Sequence, residues 1–248
     1  MKFNKKILLF ILIQSALVAN PFPLVAQELD EVVQRYIKST WGETDINSIK
    51  SLRTFGFVQN EDGTPDFYIM QELKMPNLIK TTYFSEPNGL GLTVAYNGEV
   101  GWKQNTNKDS VSTERLSQER IEILLKDYWI VEPFIQPEKI GAEAKLTGKM
   151  KTTLEEYFQI IVTFRNGEKT RYTIDSKEDR LFASSDLTND NSDKKYTNFS
   201  FFYDYRIIDG IYFSFLRKQD LPNGKVERFK VLRIEVNPIF SDNHFRML

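Results

Sequence analysis

The one histidine of this chain, His244, stands with only four residues after it. A single imidazole rules out multi-histidine metal sites, and nothing near it in sequence supplies the partners of a nucleophilic triad. A histidine in such a tail is expected at the solvated surface. There is no cysteine. Disulfides, haem-attachment motifs, cysteine-based metal sites and lipidation of an N-terminal cysteine are therefore excluded. No G-x-S-x-G, phosphate-binding P-loop or G-x-G-x-x-G stands anywhere in the chain. Two carboxylates would suffice for glycoside hydrolysis. Glu155-Glu156 are adjacent and, as strand neighbours, would face opposite sides, while Asp204 and Asp209 flank a turn; both pairs are expected to be solvated loop groups. Asp190-Asn191-Ser192-Asp193 offers oxygen ligands of the kind calcium accepts, without the full loop spacing.

Apolar surface is abundant by contrast. The chain is 41% hydrophobic and holds 19 Phe, 11 Tyr and 3 Trp. Tyr157-Phe158-Gln159-Ile160-Ile161-Val162-Thr163-Phe164 shows little polar alternation, as a strand with two apolar neighbourhoods would. Most of these residues must form a core. An aromatic-rich sheet also suits a pocket for acyl chains, where each buried methylene contributes about 0.8 kcal/mol.

The elements that position these residues are mostly strands. A helix is predicted over Glu28–Ser39, because Leu29, Val32, Val33, Tyr36 and Ile37 recur at helical spacing. A short helical turn capped by Asp45 follows. Strands are then expected over 53–59, 66–74, 78–84, 91–96 and 99–104, with Asn97-Gly98 as a tight hairpin turn. The polar stretch 105–113 reads as a loop, and Ser117–Trp129 as a helix with Ile121, Leu124, Leu125 and Tyr128 on one face. Strands resume at 145–148 and continue to 237, punctuated by Asn166-Gly167, Asp209-Gly210 and Asn223-Gly224. The expected fold is mainly β: a strongly curved antiparallel sheet of about eleven strands, an incomplete barrel, with a few helices covering the concave face. The space between helices and sheet is where a ligand would sit.

The N-terminus carries Lys2, Lys5 and Lys6 before an apolar run of 13 residues, Ile7 to Ala19. A spanning helix needs roughly 20. Pro21 and Pro23 then interrupt any helix, and Ala26 is a small residue before a cut. The pattern predicts a cleavable signal peptide over 1–26, a single domain over 27–248 and a periplasmic location. Cleavage there leaves 222 residues with 30 basic and 34 acidic side chains. That mild acidity argues against a nucleic-acid partner.

Several stretches, in order, resemble the periplasmic lipoprotein-carrier family, the LolA-like outer-membrane lipoprotein-sorting proteins. They are Leu52-Arg53-Thr54-Phe55-Gly56-Phe57, Leu73-Lys74-Met75-Pro76-Asn77-Leu78-Ile79-Lys80, the hairpin Asn97-Gly98-Glu99-Val100-Gly101-Trp102, Tyr205 to Phe213, and Ile234-Glu235-Val236-Asn237. The resemblance runs over nearly the whole chain after residue 26. It implies a half-barrel with a helical lid around a hydrophobic cavity, an acylated lipoprotein or lipid as ligand, an inner-membrane transporter and an outer-membrane acceptor as partners, a monomer, no cofactor, no metal and no catalytic residue. Two departures stand out. Met75 occupies the position where the carriers place an arginine that helps hold the lid shut, and Ser214 stands where the sorting proteins often have proline. Met75 would then line the cavity mouth with a flexible apolar group.

The lipid-binding set expected from strand alternation is Phe55, Phe57, Met70, Leu92, Val94 and Trp102, all on one face of the early meander. Leu124, Tyr128, Trp129 and Phe134 belong to the helix and loop that would cover them. The leading expectation is a carrier of acyl chains to the outer membrane. The rival is a non-carrier envelope-sensing or interaction domain on the same half-barrel, and a two-carboxylate glycan hydrolase stands a distant third.

Overall fold

A computed structural model describes residues 22–86, 91–107, 110–126, 130–187, 196–221, 224–241 and 243–247, with backbone alone at 22–27, 126 and 196–198. Among the described residues thirteen strands form one antiparallel sheet that does not close, and two α-helices accompany it. The strands are β1 (Ser51–Gln59), β2 (Pro65–Lys74), β3 (Leu78–Phe84), β4 (Gly91–Tyr96), β5 (Gly101–Asn107), β6 (Ser110–Arg115), β7 (Glu143–Lys151), β8 (Glu156–Thr163), β9 (Lys169–Asp175), β10 (Leu181–Leu187), β11 (Tyr196–Ile208), β12 (Ile211–Asp220) and β13 (Val226–Val236). The helices are α1 (Phe22–Trp41) and α2 (Gln118–Lys126).

The spatial order runs β6-β5-β4-β3-β2-β1-β13-β12-β11-β10-β9-β8-β7. The chain therefore starts mid-sheet, meanders to the β6 edge, crosses to the β7 edge and meanders back until β13 lies beside β1. That crossover, residues 116–142, carries α2 and the Phe134 loop. The sheet is a curved, incomplete barrel with its helices on one face.

α1 begins at Phe22, six residues before the expected start. Pro23 lies within this helical span and does not interrupt it, contrary to expectation. Val32, Val33, Tyr36 and Trp41 on one side of α1 are at most 8% exposed and join Leu52, Leu73, Ile79, Ile160, Ile174, Ile211 and Phe215 in one contiguous core. Gly42, with φ +57°, ends the helix in the left-handed conformation. The exposed face is tied to the β9–β10 turn by Arg35 Nη2 on Asp179 Oδ1 (2.7 Å) and by the Ser39 hydroxyl on the Glu178 carbonyl (2.5 Å). Asp45 caps a short 3-10 turn over Ile46–Ser48, as expected, accepting from the Asn47 N–H at 2.9 Å.

The largest addition is β6. Its residues read as a polar loop because an edge strand is exposed on both faces, and its ladder to β5, from Trp102↔Arg115 to Asn107↔Ser110, makes it a strand without any apolar alternation. β7 likewise extends over Glu143–Lys151, mostly exposed and carrying Lys145, Lys149 and Lys151, which suits an unpaired edge. α2 is described over Gln118–Lys126, and residues 127–129 of the expected helix lie outside the described residues. Among the described residues no helix is long and apolar enough to cross a membrane.

Candidate functional site

Register decides which side chains share a face. Directly opposed residues project to the same side of the sheet, so each antiparallel row can be followed across strands. The row Leu52–Leu73–Ile79–Tyr96–Gly101 lies under α1 and α2. The next rows on that face are Thr54–Gln71–Thr81–Val94–Lys103 and then Gly56–Ile69–Tyr83–Leu92–Asn105. Val58 and Phe67 end the series, with Phe229 beside Val58 across β13.

The first row is core. In the outer rows Thr81 and Val58 are buried, whereas Phe67, Ile69, Tyr83, Leu92, Val94 and Phe229 are all partly exposed. Of these, Phe229 alone touches the core cluster. Together they form an apolar strip on the helix-bearing, concave face that continues the core rows past the reach of α1. Phe67 and Tyr83 pair with ring centroids 6.3 Å apart, and the Arg217 guanidinium lies 5.7 Å from the Phe229 ring. Gly56 makes this close packing possible. A Cβ there would stand 2.4 Å from the Lys230 carbonyl oxygen and 2.8 Å from the Phe229 ring. Gly101 does the same for the cover, since a Cβ would meet Ile121 of α2 at 2.5 Å.

The crossover is anchored under α1 by a buried polar knot. Tyr36 donates its hydroxyl to Glu132 Oε1 at 2.5 Å. Phe134, 1% exposed, packs edge-on to Tyr36 (5.0 Å) and to Tyr172 (5.1 Å). Burial raises the Glu132 carboxyl above its ordinary range by more than the hydrogen bond from the Tyr36 hydroxyl lowers it. Burial, with Glu132 nearby, also pushes the Tyr36, Tyr172 and Tyr205 hydroxyls far up. Among the described residues Thr40 Oγ1, Trp41 Nε1 and Glu132 Oε2 are buried without a hydrogen-bond partner.

The opposite face is organised differently. Its central row is Glu235–Arg53–Glu72–Lys80–Ala95–Trp102–Arg115. Glu72 is 1% exposed and accepts from Arg53 Nε (2.8 Å), while His244 Nε2 lies 2.8 Å from its other oxygen. The chain end after β13 folds over this row. Lys74 donates to the Phe240 carbonyl at 3.3 Å, and the Trp102 indole N–H to the Phe245 carbonyl at 2.9 Å. Phe240, His244 and Phe245 pack on one another with centroids 4.8–5.3 Å apart. The expectation of a solvated tail histidine is therefore corrected: a buried carboxylate on a strand 172 residues away holds His244 to the sheet.

These rows place the expected lipid-binding set. Leu92 and Val94 lie on the helix-bearing face. Phe55, Phe57, Met70 and Trp102 lie on the back face, so the six do not share one side of the sheet. The pairing sets Phe55 opposite Met70 and that row opposite Thr82, Thr93 and Gln104, one residue out of step with Leu92 and Val94. Phe55 stacks on Tyr68 (5.8 Å) and Phe84 (6.2 Å) there. Leu124 of α2 packs against the core, and Phe134 is fully buried within it. Met75 is 45% exposed in the β2–β3 turn, and its N–H donates to the Lys50 carbonyl (2.8 Å). Tyr128 and Trp129 lie outside the described residues, as do residues 1–21 and the Asp190–Asp193 run. Ser214 donates its hydroxyl to the Tyr203 carbonyl at 2.8 Å. Phe67, Ile69, Tyr83 and Phe229 belong to the concave strip and were missed. Following the phase of Leu52 and Leu73 along their strands would have found Phe67 and Ile69.

The carboxylate pairs have structural partners. Glu155 accepts the Tyr157 hydroxyl, and burial together with Glu155 pushes that phenol up to about 12. The Arg206 side chain holds Asp204 below the ordinary carboxylate range. Among the described residues no group of three or more His, Asp or Glu could hold a metal ion.

No family model and no curated protein matches the chain. Solved structures do. It is similar to a LolA superfamily protein from Nitrosomonas europaea (TM-score 0.58, 9% identity, 88% of this chain and 97% of that one). It is similar to a DUF1329 family protein from Desulfovibrio piger (0.59, 11%, 88% and 97%). It is also similar to a protein described as an outer membrane lipoprotein-sorting domain from Vibrio parahaemolyticus (0.57, 11%, 87% and 94%). The fold is LolA-like.

Proposed function

We propose that this protein is exported by an N-terminal signal peptide, residues 1–26, and works in the periplasm as a carrier of acyl chains. A lipoprotein or lipid would lay its chain along the concave face for delivery to the outer membrane. The observation that carries this reading is the strip of Phe67, Ile69, Tyr83, Leu92, Val94 and Phe229: apolar, partly exposed, continuous with the core rows, and on the face that bears the helices. Leaving such side chains in water is unfavourable. Roughly ten methylenes buried against them would contribute about 8 kcal/mol before the costs of association. α2 and the crossover supply a cover, and the carrier would receive its cargo from an inner-membrane donor and hand it to an outer-membrane acceptor. The LolA-like fold agrees with this role, and no catalytic residue is assigned.

The test is a fluorescent fatty-acid probe with the purified protein, alongside mass spectrometry of co-extracted lipid. Leu92→Glu on the concave face is expected to abolish probe uptake. Thr82→Glu, one strand away on the back face, is expected to leave it unchanged. Equal loss in both variants, or no uptake and no acyl ligand in the unaltered protein, overturns the carrier.

A further inference from the structure

The back face holds a second site that owes nothing to acyl chains. A pocket of about 270 Å³ opens between the β3–β5 strands and the chain end, with Trp102 at its wall. Lys80, Thr93 and Gln104 line it from the sheet, and Asn243, His244 and Arg246 from the tail. Among the described residues no carboxylate lines it. Among the described residues, the acids of the adjoining row are already engaged: Glu72 by Arg53 and His244, and Glu235 by Arg53 and Arg233. Among the described residues neither Lys80 nor Arg246 has an ion-pair or hydrogen-bond partner for its charged group. Arg115, next to Trp102 on β6, adds a third cation at the margin of the row. Two unmatched positive charges thus face one small, half-open space from two separate pieces of chain.

We propose that this pocket binds a phosphate-bearing ligand, a free phosphate ester or the headgroup of a phospholipid. Arg246 offers a planar fork that matches a tetrahedral oxyanion in bidentate fashion, and Lys80 a point charge opposite it. The Asn243 amide adds a neutral donor. The volume accommodates a phosphate with a few carbon atoms attached. Because Lys80 belongs to β3 and Arg246 to the tail, a ligand bridging them also fastens the tail to the sheet.

The chain's single histidine makes the test direct. The His244 ring protons give one set of NMR signals, and they report from the pocket wall. Inorganic phosphate and glycerol 3-phosphate are titrated into the unaltered protein, with chloride at equal ionic strength as control. A saturable shift is expected with the phosphates alone. Lys80→Gln and Arg246→Gln, the first at a partly exposed and the second at an exposed position and both checked for an unchanged Tm, are each expected to weaken binding about tenfold. Phosphatidylglycerol vesicles then distinguish the sources. Co-sedimentation that glycerol 3-phosphate competes away and both variants lose identifies a headgroup, whereas saturable shifts without vesicle binding identify a soluble ester. Shifts that chloride reproduces, or that survive both substitutions at full strength, overturn the site.

Discussion

Leu73 and Glu72 are neighbours on β2, and both are buried, at 2% and 1% exposure. They are covered in unlike ways. Leu73 faces a contiguous apolar core that α1 and the crossover close. Glu72 faces Arg53, His244 and a chain end that reaches it only after the last strand. Among the described residues two helices accompany thirteen strands, and one face is closed by apolar packing and the other by a polar clasp. The crossover is held at both ends by strands, β6 and β7, so it opens only with the sheet. The tail follows β13 and docks through Glu72, Lys74 and Trp102, so it can open without parting a pair of strands.

Phe134→Ala breaks the first kind of cover. Phe134 is wedged between Tyr36 and Tyr172 with 1% exposure, and its removal leaves a cavity under α1. The expected loss is about 3–5 kcal/mol of global stability, read by urea unfolding with coincident circular dichroism and fluorescence transitions. Phe245→Ala strikes the second kind. Phe245 is equally buried, yet its loss is limited by the free energy of docking the tail, about 1–2 kcal/mol. The specific sign is faster hydrogen exchange at the Trp102 indole N–H, whose acceptor is the Phe245 carbonyl. Equal losses in the two variants would make the tail part of the cooperative core and erase the contrast.

Much of the concave side was legible in the residues. Leu29, Val32, Val33, Tyr36 and Ile37 announced α1, and Asn97-Gly98 announced the β4–β5 hairpin, where Gly98 has φ +94° and Asn97 Oδ1 accepts from the Glu99 and Val100 N–H groups. Strand phase between neighbours was not legible. Alternation within β1 or β4 is plain, but whether Phe55 and Leu92 share a face depends on turn lengths and register that no single strand carries. The back-face clasp was invisible for a related reason. Nothing near His244 in sequence suggests Glu72, and a glutamate between Gln71 and Leu73 reads as a solvated strand residue until a distant tail covers it. β6 escaped because hydrogen bonding to β5, with no apolar pattern, is what makes it a strand.

The smallest expected effect sharpens the contrast from within the concave side, because the crossover there hides one ionisable group among apolar ones. Glu132 is buried, and burial is the dominant cause of its raised pKa. A carboxyl raised in the folded state binds its proton more tightly there than in the unfolded chain. Its contribution to stability is therefore fully present below the ordinary carboxylate range and is lost as pH rises through the raised folded value. At neutral pH the folded protein either carries a poorly solvated charge or holds a proton against the solvent, and both are unfavourable. Glu132→Gln retains an oxygen to accept the Tyr36 hydroxyl and removes the charge. It is expected to match the unaltered protein in acid and to exceed it by about 1–2 kcal/mol at neutral pH, with urea midpoints measured across that interval as the check. A variant weaker than the unaltered protein at neutral pH would mean that the ionised carboxylate, held by Tyr36, clasps the crossover as Glu72 clasps the tail. The two faces would then differ in where the charge is placed and not in whether one is used.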